Sequence, residues 1–104
     1  MIIKIGRAPS NDIVLENRTV SREHATLTIT DGKIVVTDLN SASGTYIVSA
    51  GSLSRVSYHE VGDNDTVLFG DERCLVRDLL DHAKDRNRGV VYERNPITGE
   101  IIRK

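Results

Sequence analysis

The stretch ATLTITDGKIVVT, residues 25–37, decides the fold of this chain. Apolar Leu27 and Ile29 alternate with threonines, which is the period of a β-strand with one buried face. The dipeptide Asp31-Gly32 follows and leads into a second β-rich run. Asp-Gly between two such runs favours a type I′ turn, because both central residues of that turn need positive φ. The stretch therefore predicts an antiparallel β-hairpin.

Similar short apolar runs recur on both sides of this hairpin, and small polar loops separate them. Short strands at this spacing indicate an antiparallel sandwich or barrel. Besides the two strands of the hairpin, the predicted strands are Ile2–Ile5, Thr45–Val48, Thr66–Phe69 and Cys74–Arg77.

The C-terminal part of the chain departs from this pattern. Residues 78–88 are strongly charged and predict a short helical turn or a linker. Residues 89–104 resemble another hairpin, because two β-rich runs flank residues 95–99, which have turn chemistry. An isolated hairpin is marginal in water, so this one should pack on the sandwich or on a neighbouring chain. We predict a sandwich over residues 1–80, a linker or short helix over 81–88 and a hairpin over 89–104.

Composition limits the partners and the setting of the domain. Lys and Arg number 14 and Asp and Glu number 15, so the net charge of -1 favours neither nucleic acid nor an anionic membrane as partner. The single cysteine, Cys74, excludes an internal disulfide and is expected in the core. His59 and His82 are isolated and expected to face solvent, and we expect no metal and no cofactor. Without a membrane-spanning run or a signal peptide, a cytoplasmic domain is expected.

An ordered set of short motifs runs along most of the chain. Gly6-Arg7 ends the first strand, Ser21-Arg22-Glu23-His24 follows, and the loop Asn40–Thr45 and the pair Gly62-Asp63 come later. Each motif is weak alone. In this order, over residues 3 to about 77, the sequence closely resembles the forkhead-associated (FHA) domain family. The resemblance implies an all-β fold, an FHA-like antiparallel β-sandwich of two twisted sheets, whose loops at one end bind phosphothreonine in an extended peptide.

The resemblance assigns the phosphate to Arg7, Ser21 and Arg22, and their chemistry agrees. A phosphate group brings nearly two negative charges and three acceptor oxygens. Arginine offers a planar fork of donors, and serine offers a short hydroxyl donor. We therefore expect a phosphothreonine-peptide-binding interaction module in signalling or regulated assembly, which is not an enzyme and whose partner is a phosphothreonine-containing protein.

Four residues are expected to hold the loops in place: Gly6, His24, Gly44 and Thr45. Family members use this histidine to brace the loops, Gly44 should adopt a backbone conformation unavailable to larger residues, and Thr45 should begin the next strand. A hydrolytic pair of Ser21 and His24 is the competing interpretation. It is the weaker one, because no glycine-flanked nucleophile elbow surrounds the serine.

The peptide-binding loop Ser41-Ala42-Ser43 departs from the family pattern. The usual loop reads Asn-Ser-x-Asn-Gly-Thr, so Ser43 replaces an asparagine whose amide holds the ligand's main chain. Ala42 replaces a residue that often carries a hydroxyl. Loss of one peptide hydrogen bond costs about 0.5–1.5 kcal/mol, which predicts weakened binding. The alternative is a phosphate-independent FHA-like scaffold or oligomerisation domain.

The beginning of the chain is also shorter than the family pattern. Only Met1 to Ile5 precede Gly6-Arg7, where family members usually have one or two further strands. A sheet edge would then be open, and open edges invite pairing. The hairpin over 89–104 could fill the gap in its own chain or in a second copy, which would give a homodimer.

Overall fold

The computed structural model describes residues 1–83, 92–94 and 101–103. Its elements, in chain order, are the strands β1 (Ile2–Gly6), β2 (Ile13–Val14), β3 (Ala25–Thr30), β4 (Lys33–Asp38), β5 (Thr45–Ser49), β6 (Ser52–Val56), β7 (Tyr58–Val61), β8 (Thr66–Phe69) and β9 (Glu72–Leu75), the helix α1 (Val76–Ala83), and the strands β10 (Tyr92–Arg94) and β11 (Ile101–Arg103).

The hairpin predicted from residues 25–37 is present, with β3 and β4 paired antiparallel along their whole length. Asp31 and Gly32 have φ angles of 51° and 77°, as a type I′ turn requires. Leu27 is fully buried, whereas Thr28 on the opposite face is half-buried. The alternation in the sequence therefore marks the two faces of this hairpin.

Three strands of the structure were not predicted. β6 and β7 are mostly exposed and show no apolar alternation, and β2 is too short to show any period. Ala50 and Gly51, with φ of 51° and 79°, form a second turn with two left-handed residues between β5 and β6. Ala is not a residue that signals such a turn, so the hairpin was missed.

Two sheets face each other and enclose one core. One has the strand order β2-β1-β3-β4-β7 and the other the order β6-β5-β8-β9. The predicted all-β sandwich is therefore confirmed. The largest fully buried side chains of its core are Phe69, Ile3, Ile5, Ile13, Leu15 and Leu27.

The predicted strand Cys74–Arg77 is correct only in its first half. α1 begins at Val76, whose amide donates to the Asp65 carbonyl at 2.9 Å, so the turn before β8 accepts a bond from the first helical turn. Val76 and Leu79 are buried at helical spacing, so the helix packs on the sandwich. A valine after an apolar strand gives no local sign of this change, because valine favours strands.

The single cysteine and the two histidines outside the motif set have different environments. Cys74 is fully buried, as predicted, and His59 is exposed, as predicted. The prediction that His82 faces solvent is wrong, because it is only 3% exposed. It follows Leu79 by three residues and so lies on the same buried face of α1.

Part of the outer edge of β1 is covered by the segment that follows it. Ile5 and Gly6 pair in parallel with β2, and the Lys4 amide donates to the Asp12 carboxylate at 2.8 Å. The expectation of an uncovered edge is therefore corrected, because residues 12–14 cover the part of β1 nearest the loops.

The C-terminal strands β10 and β11 pair antiparallel, with Tyr92 opposite Arg103. The hairpin predicted there is therefore present. Its turn at 95–99, and residues 84–88 of the predicted linker, lie outside the described residues. Its docking on the sandwich or on a second copy stays a prediction. Within the described part of the chain, no helix is long and apolar enough to cross a membrane.

Candidate functional site

Three loops meet at one end of the sandwich because of the strand directions. β1 pairs antiparallel with β3, and β3 pairs antiparallel with β4. The end of β1, the start of β3 and the end of β4 therefore lie at one edge. The loops that begin at Arg7, precede Ala25 and follow Asp38 are held together there. Loops on a rigid scaffold are a usual position for binding residues.

Arg7 is bonded to the neighbouring loop through both its backbone and its side chain. Its amide donates to the Ser21 carbonyl at 2.9 Å, and its Nε donates to the Val20 carbonyl at 3.0 Å. Its two terminal nitrogens make no hydrogen bond or ion pair with residues 1–83, and the side chain is exposed. They are therefore available to a ligand.

Gly6 allows this close approach between the loops. A Cβ at Gly6 would lie 2.2 Å from the Arg22 carbonyl oxygen and 2.8 Å from Asn11 Nδ2. Asn11 Nδ2 in turn donates to the Arg22 carbonyl at 2.7 Å and the Ala8 carbonyl at 2.8 Å. The structure thus places Gly6 where a larger residue would separate the loops. Asn11 is a loop-holding residue that was not predicted, because an asparagine in a polar loop does not reveal its distant partner.

Ser21 joins the first two loops to the third. Its Oγ accepts a hydrogen bond from the Ala42 amide at 3.0 Å, and its amide donates to His24 Nδ1 at 3.0 Å. Because Oγ accepts from Ala42, its own proton can be donated to another group. The neighbouring Arg22 side chain is exposed and makes no hydrogen bond or ion pair with residues 1–83. The structure therefore brings together the predicted set of Arg7, Ser21 and Arg22.

His24 is fully buried between these loops. Its Nε2 donates to the Gly44 carbonyl at 2.9 Å, since Nδ1 already accepts from the Ser21 amide. The ring packs edge to face on Phe69, with the centroids 5.7 Å apart. Burial lowers the pKa of His24, against the raising effects of the Gly44 hydrogen bond and the Asp38 carboxylate.

The positions of the two ring nitrogens bear directly on the hydrolytic interpretation. Both nitrogens of His24 are bonded to backbone groups, and neither is hydrogen-bonded to the Ser21 hydroxyl. A general base must lie within hydrogen-bond reach of the proton that it removes. The two side chains are therefore not arranged as nucleophile and base, and His24 occupies the bracing position.

Asp38 organises the third loop. Its carboxylate accepts hydrogen bonds from the Ser41 amide at 3.0 Å, from the Ser41 hydroxyl and from Thr45 Oγ1 at 2.7 Å. Partial burial alone would raise the pKa of Asp38, but these hydrogen bonds outweigh it and hold the pKa below its ordinary value. Asp38 was not predicted as a bracing residue, because an aspartate at a strand end looks the same whether or not it is paired.

The three residues of the predicted peptide-binding loop have different environments. Ser41 is 7% exposed, and besides its bonds to Asp38 its hydroxyl accepts from the Gly44 amide at 3.1 Å, so this side chain holds the loop. Ala42 is exposed and Ser43 is half-buried. The Ser43 carbonyl accepts a hydrogen bond from the Tyr46 hydroxyl at 2.8 Å.

Gly44 and Thr45 end this loop. Gly44 has φ of +91°, a left-handed conformation that favours glycine, as predicted. Thr45 is the first residue of β5 and is fully buried. A Cβ at position 44 would also lie 2.8 Å from Arg55 Nε and 3.1 Å from the Tyr46 hydroxyl. Neither Arg55 nor Tyr46 was predicted near the site.

A separate contact holds the loop before Ser21. Thr19 Oγ1 accepts from the Asp71 amide at 2.9 Å, and Asn17 Nδ2 donates to the Asp71 carboxylate at 2.7 Å. A Cβ at Gly70 would lie 2.6 Å from the Thr19 carbonyl oxygen. The turn between β8 and β9 therefore presses directly on the segment that leads into the candidate site.

The arrangement suits an oxyanion with several acceptor atoms. Two guanidinium groups and one hydroxyl, supplied by two neighbouring loops, have donors that residues 1–83 do not use. Charge-assisted hydrogen bonds from arginine are among the stronger ones in proteins, and the planar fork matches carboxylate or phosphate.

The model of the FHA domain family matches residues 3–70 of this chain. The chain belongs to that family. Its sandwich has the same fold as solved FHA domains, and the order of the loops is the order that the motif set indicated.

Three comparisons illustrate the relationship. The chain is 40% identical over 68 residues to the ABC transporter ATP-binding/permease protein Rv1747 of Mycobacterium tuberculosis, a match that covers 65% of this chain and 7% of that protein. It resembles the structure of M. tuberculosis EmbR in complex with low affinity phosphopeptide, with a TM-score of 0.62, 33% identity and coverage of 69% of this chain and 18% of EmbR. The NMR-based structure of the FHA-2 domain of Rv1747 gives a TM-score of 0.60 and 29% identity over 99% of this chain and 73% of that domain. The chain spans only 7–30% of the length of the first curated relatives it matches.

Proposed function

We propose that this chain is a non-catalytic interaction module that binds phosphothreonine peptides. The observation that supports the proposal is the bonding of Arg7 to the backbone of Val20 and Ser21, which holds the loop of Arg7 against the loop of Ser21. EmbR, a similar FHA protein, has been solved with a phosphopeptide, which supports the same class of ligand here.

Each of the three residues has its own part in the proposed phosphate contact. The terminal nitrogens of Arg7 bind two phosphate oxygens, because its Nε is already used by Val20. The Ser21 hydroxyl donates to a third oxygen. Arg22 adds a second positive charge from an exposed position. A hydrogen bond to a charged group contributes about 1.5–3 kcal/mol, so the set can hold a doubly charged phosphate against water.

The peptide main chain meets fewer groups in this proposal. The Ala42 amide is bonded to Ser21 and the Ser43 carbonyl to Tyr46. The Ser43 hydroxyl, which makes no hydrogen bond with residues 1–83, is the side-chain donor left among residues 41–43. One short hydroxyl in place of a carboxamide supports binding that depends on the phosphate more than on the rest of the peptide.

The partner in this proposal is a phosphothreonine-containing protein, in cytoplasmic signalling or regulated assembly. The near-neutral composition supports a protein partner over nucleic acid or an anionic membrane surface. We also propose that the hairpin over 89–104 packs on the sandwich or on a second copy, since a two-stranded hairpin is marginal alone.

A titration with matched peptides tests the proposed function. Phosphorylated and unphosphorylated versions of one threonine peptide are added to the isotopically labelled domain, and amide shifts are followed. We expect changes at Arg7, Ser21 and Arg22 with the phosphorylated peptide alone. Arg7→Ala should abolish them, whereas Lys33→Ala, at the opposite end of β3 and β4, should not. Equal binding of both peptides would contradict the proposal.

One observation favours the phosphate-independent alternative. Tyr58 is 71% exposed on the outer face of the five-stranded sheet, where it lines a groove of about 470 Å³ with Thr28 and Thr30. An exposed tyrosine in a groove is typical of protein interfaces. A scaffold that uses this groove would lose its partner in Tyr58→Ala and keep it in Arg7→Ala, which is the reverse of the first proposal.

A further inference from the structure

Arg55 lies beside the peptide-facing loop at a position that no motif assigned. It is in β6, directly opposite Tyr46 of β5. A Cβ at Gly44 would be 2.8 Å from Arg55 Nε and 3.0 Å from its Cζ. The guanidinium group therefore occupies the space that a side chain at position 44 would fill, and it lies against the last residue of the loop.

The charge of Arg55 has no partner within residues 1–83. Its side chain is exposed and makes no hydrogen bond or ion pair with any residue of that range. Acidic residues outnumber basic ones in the same range, so the absence of a pairing carboxylate does not follow from composition. A guanidinium group with all its donors unused can bind an anion from outside the domain.

Arg55 and the proposed phosphate site lie on the two sides of one buried ring, that of His24. Gly44, against which Arg55 lies, is bonded through its carbonyl to His24 Nε2, and the Ser21 amide is bonded to Nδ1 of the same ring. A single imidazole therefore separates the two sides of the site. An extended peptide advances about 3.3 Å per residue, so it covers this width in a few residues.

We propose that Arg55 forms a second, anion-binding subsite that takes an aspartate or glutamate side chain of the phosphopeptide, about two to four residues from the phosphothreonine. This inference rests on the proposed function. It also gives a physical reason for the short side chain at Ser43. Affinity that the main chain does not supply there can come from a side-chain ion pair instead.

A peptide series tests the inference. Starting from a phosphothreonine peptide with neutral flanks, glutamate is placed at one position at a time, from four residues before to four residues after the phosphothreonine. One position should tighten binding about two- to fivefold at low salt, which is the range of an exposed ion pair. The gain should shrink at high salt, because exposed charges are screened.

Variants of Arg55 test whether this residue causes the tighter binding of the glutamate peptide. Arg55→Gln should remove this gain and Arg55→Lys should keep part of it. The readout in each variant is the ratio of the affinities for the glutamate and neutral phosphopeptides, which cancels any general loss of positive charge near the phosphate. Arg73→Gln is the matched control, because Arg73 shares the cross-strand row of Arg55 through Tyr46 and Leu68 but lies at the other edge of the sheet. Melting temperatures of all variants show that they fold.

The outcomes separate this inference from the proposed function. If wild type binds the neutral phosphopeptide but no glutamate position tightens binding, or if the gain persists in Arg55→Gln, the subsite is overturned and phosphate binding stands. If wild type binds no phosphorylated peptide, the proposed function fails and the subsite fails with it.

Discussion

The Ser21 hydroxyl accepts a hydrogen bond from the Ala42 amide at 3.0 Å. This bond joins the serine that the proposal places against the phosphate to the loop that departs most from the family pattern. The loop therefore needs no hydroxyl at position 42 to be held in register with Ser21, because its backbone does this. The missing side-chain groups leave the architecture of the site intact.

The first prediction concerns Ser21→Ala. This variant removes the proposed donor to the phosphate and the acceptor for the Ala42 amide. We expect phosphopeptide affinity to fall about ten- to hundredfold, because a hydrogen bond to a charged group is worth roughly 1.5–3 kcal/mol. Isothermal titration calorimetry measures this directly. Ser52→Ala, exposed beside the turn at the far end of β5 and β6, should bind as wild type. A Ser21→Ala domain with unchanged affinity would exclude this serine from the site.

The second prediction concerns pH. Burial holds the pKa of His24 below its ordinary value of 6.5, so the unfolded chain takes up this proton more readily than the folded domain. The contribution of neutral His24 to the free energy of unfolding is therefore complete above about pH 6.5. It is lost as the pH falls through 6.5 toward the pKa of His24 in the folded domain. Protonation would also set a ring N–H against the Ser21 amide N–H.

Unfolding midpoints measured between pH 8 and pH 5 test this expectation. His24→Gln should be less stable at pH 8 and should lose less stability on acidification than wild type. His59→Gln, which changes an exposed histidine, should follow wild type. Identical acid sensitivity of wild type and His24→Gln would contradict the assignment. The pKa of Asp38 is lowered from an already acidic value, so its contribution is lost in a more acidic range.

The third prediction concerns Asp38→Asn. An amide keeps the shape of the carboxylate but replaces one acceptor oxygen with a donor. It would then face the Ser41 and Thr45 donors with one oxygen too few. We expect a loss of about 1–3 kcal/mol in the free energy of unfolding, measured with urea. Glu23→Gln, an exposed charge in the same region of the chain, should change it little. If the two variants are equally stable, Asp38 does not hold the loop.

The fourth prediction compares two glycines with ordinary φ. A Cβ at Gly6 would lie 2.2 Å from the Arg22 carbonyl oxygen, whereas at Gly62 the nearest atom, of Asp65, is 3.7 Å away. Gly6→Ala should therefore cost about 1–3 kcal/mol and weaken phosphopeptide binding by separating the loops. Gly62→Ala should stay within about 0.5 kcal/mol of wild type. Thermal melts and the peptide titration, run on both variants, give the comparison. Similar behaviour of the two would show that the loops adapt freely.

The fifth prediction concerns the C-terminal hairpin. Deletion of residues 89–104 should lower the melting temperature or cause aggregation, because the hairpin is proposed to pack on the sandwich or on a second copy and the surface beneath it would then be exposed. Ile101→Ser in the intact chain should have a smaller effect in the same direction. The masses of the full and shortened chains, measured by sedimentation, distinguish a hairpin that packs on its own sandwich from one that packs on a second copy. An unchanged melting temperature and mass would rule out both.

The sequence predicts this fold best where turn chemistry and alternation agree. Asp31 and Gly32 predict the β3–β4 hairpin, because few residue pairs accept positive φ at two successive positions. Ala50 also has a positive φ in a turn, but alanine does not predict such a turn. β6 and β7 are mostly exposed strands with no apolar pattern. Hydrophobic periodicity reports burial, so strands that bury little escape it.

The residues of the candidate site also differ in how well the sequence predicts them. The motif set predicted that Arg7, Ser21 and Arg22 belong to one end of the sandwich, and their loops are bonded to each other there. Their contact with phosphate stays a prediction. The residues that hold them, Asn11 and Asp38, were not predicted, since their function lies in partners far along the chain or in a loop geometry that only the fold creates. Ser41 was predicted as part of the peptide-binding loop. Its side chain is buried and bonded to Asp38, so it holds the shape of that loop.

The contact of Gly70 and Asp71 with Thr19 has a consequence for binding kinetics. The segment before Ser21 is fixed by the β8–β9 turn and the segment after it by His24, so little conformational entropy remains to be lost when a ligand arrives. A site prepared in this way should look the same free and bound. Variants of its ligand-contacting residues should then differ in how fast the peptide leaves rather than in how fast it arrives.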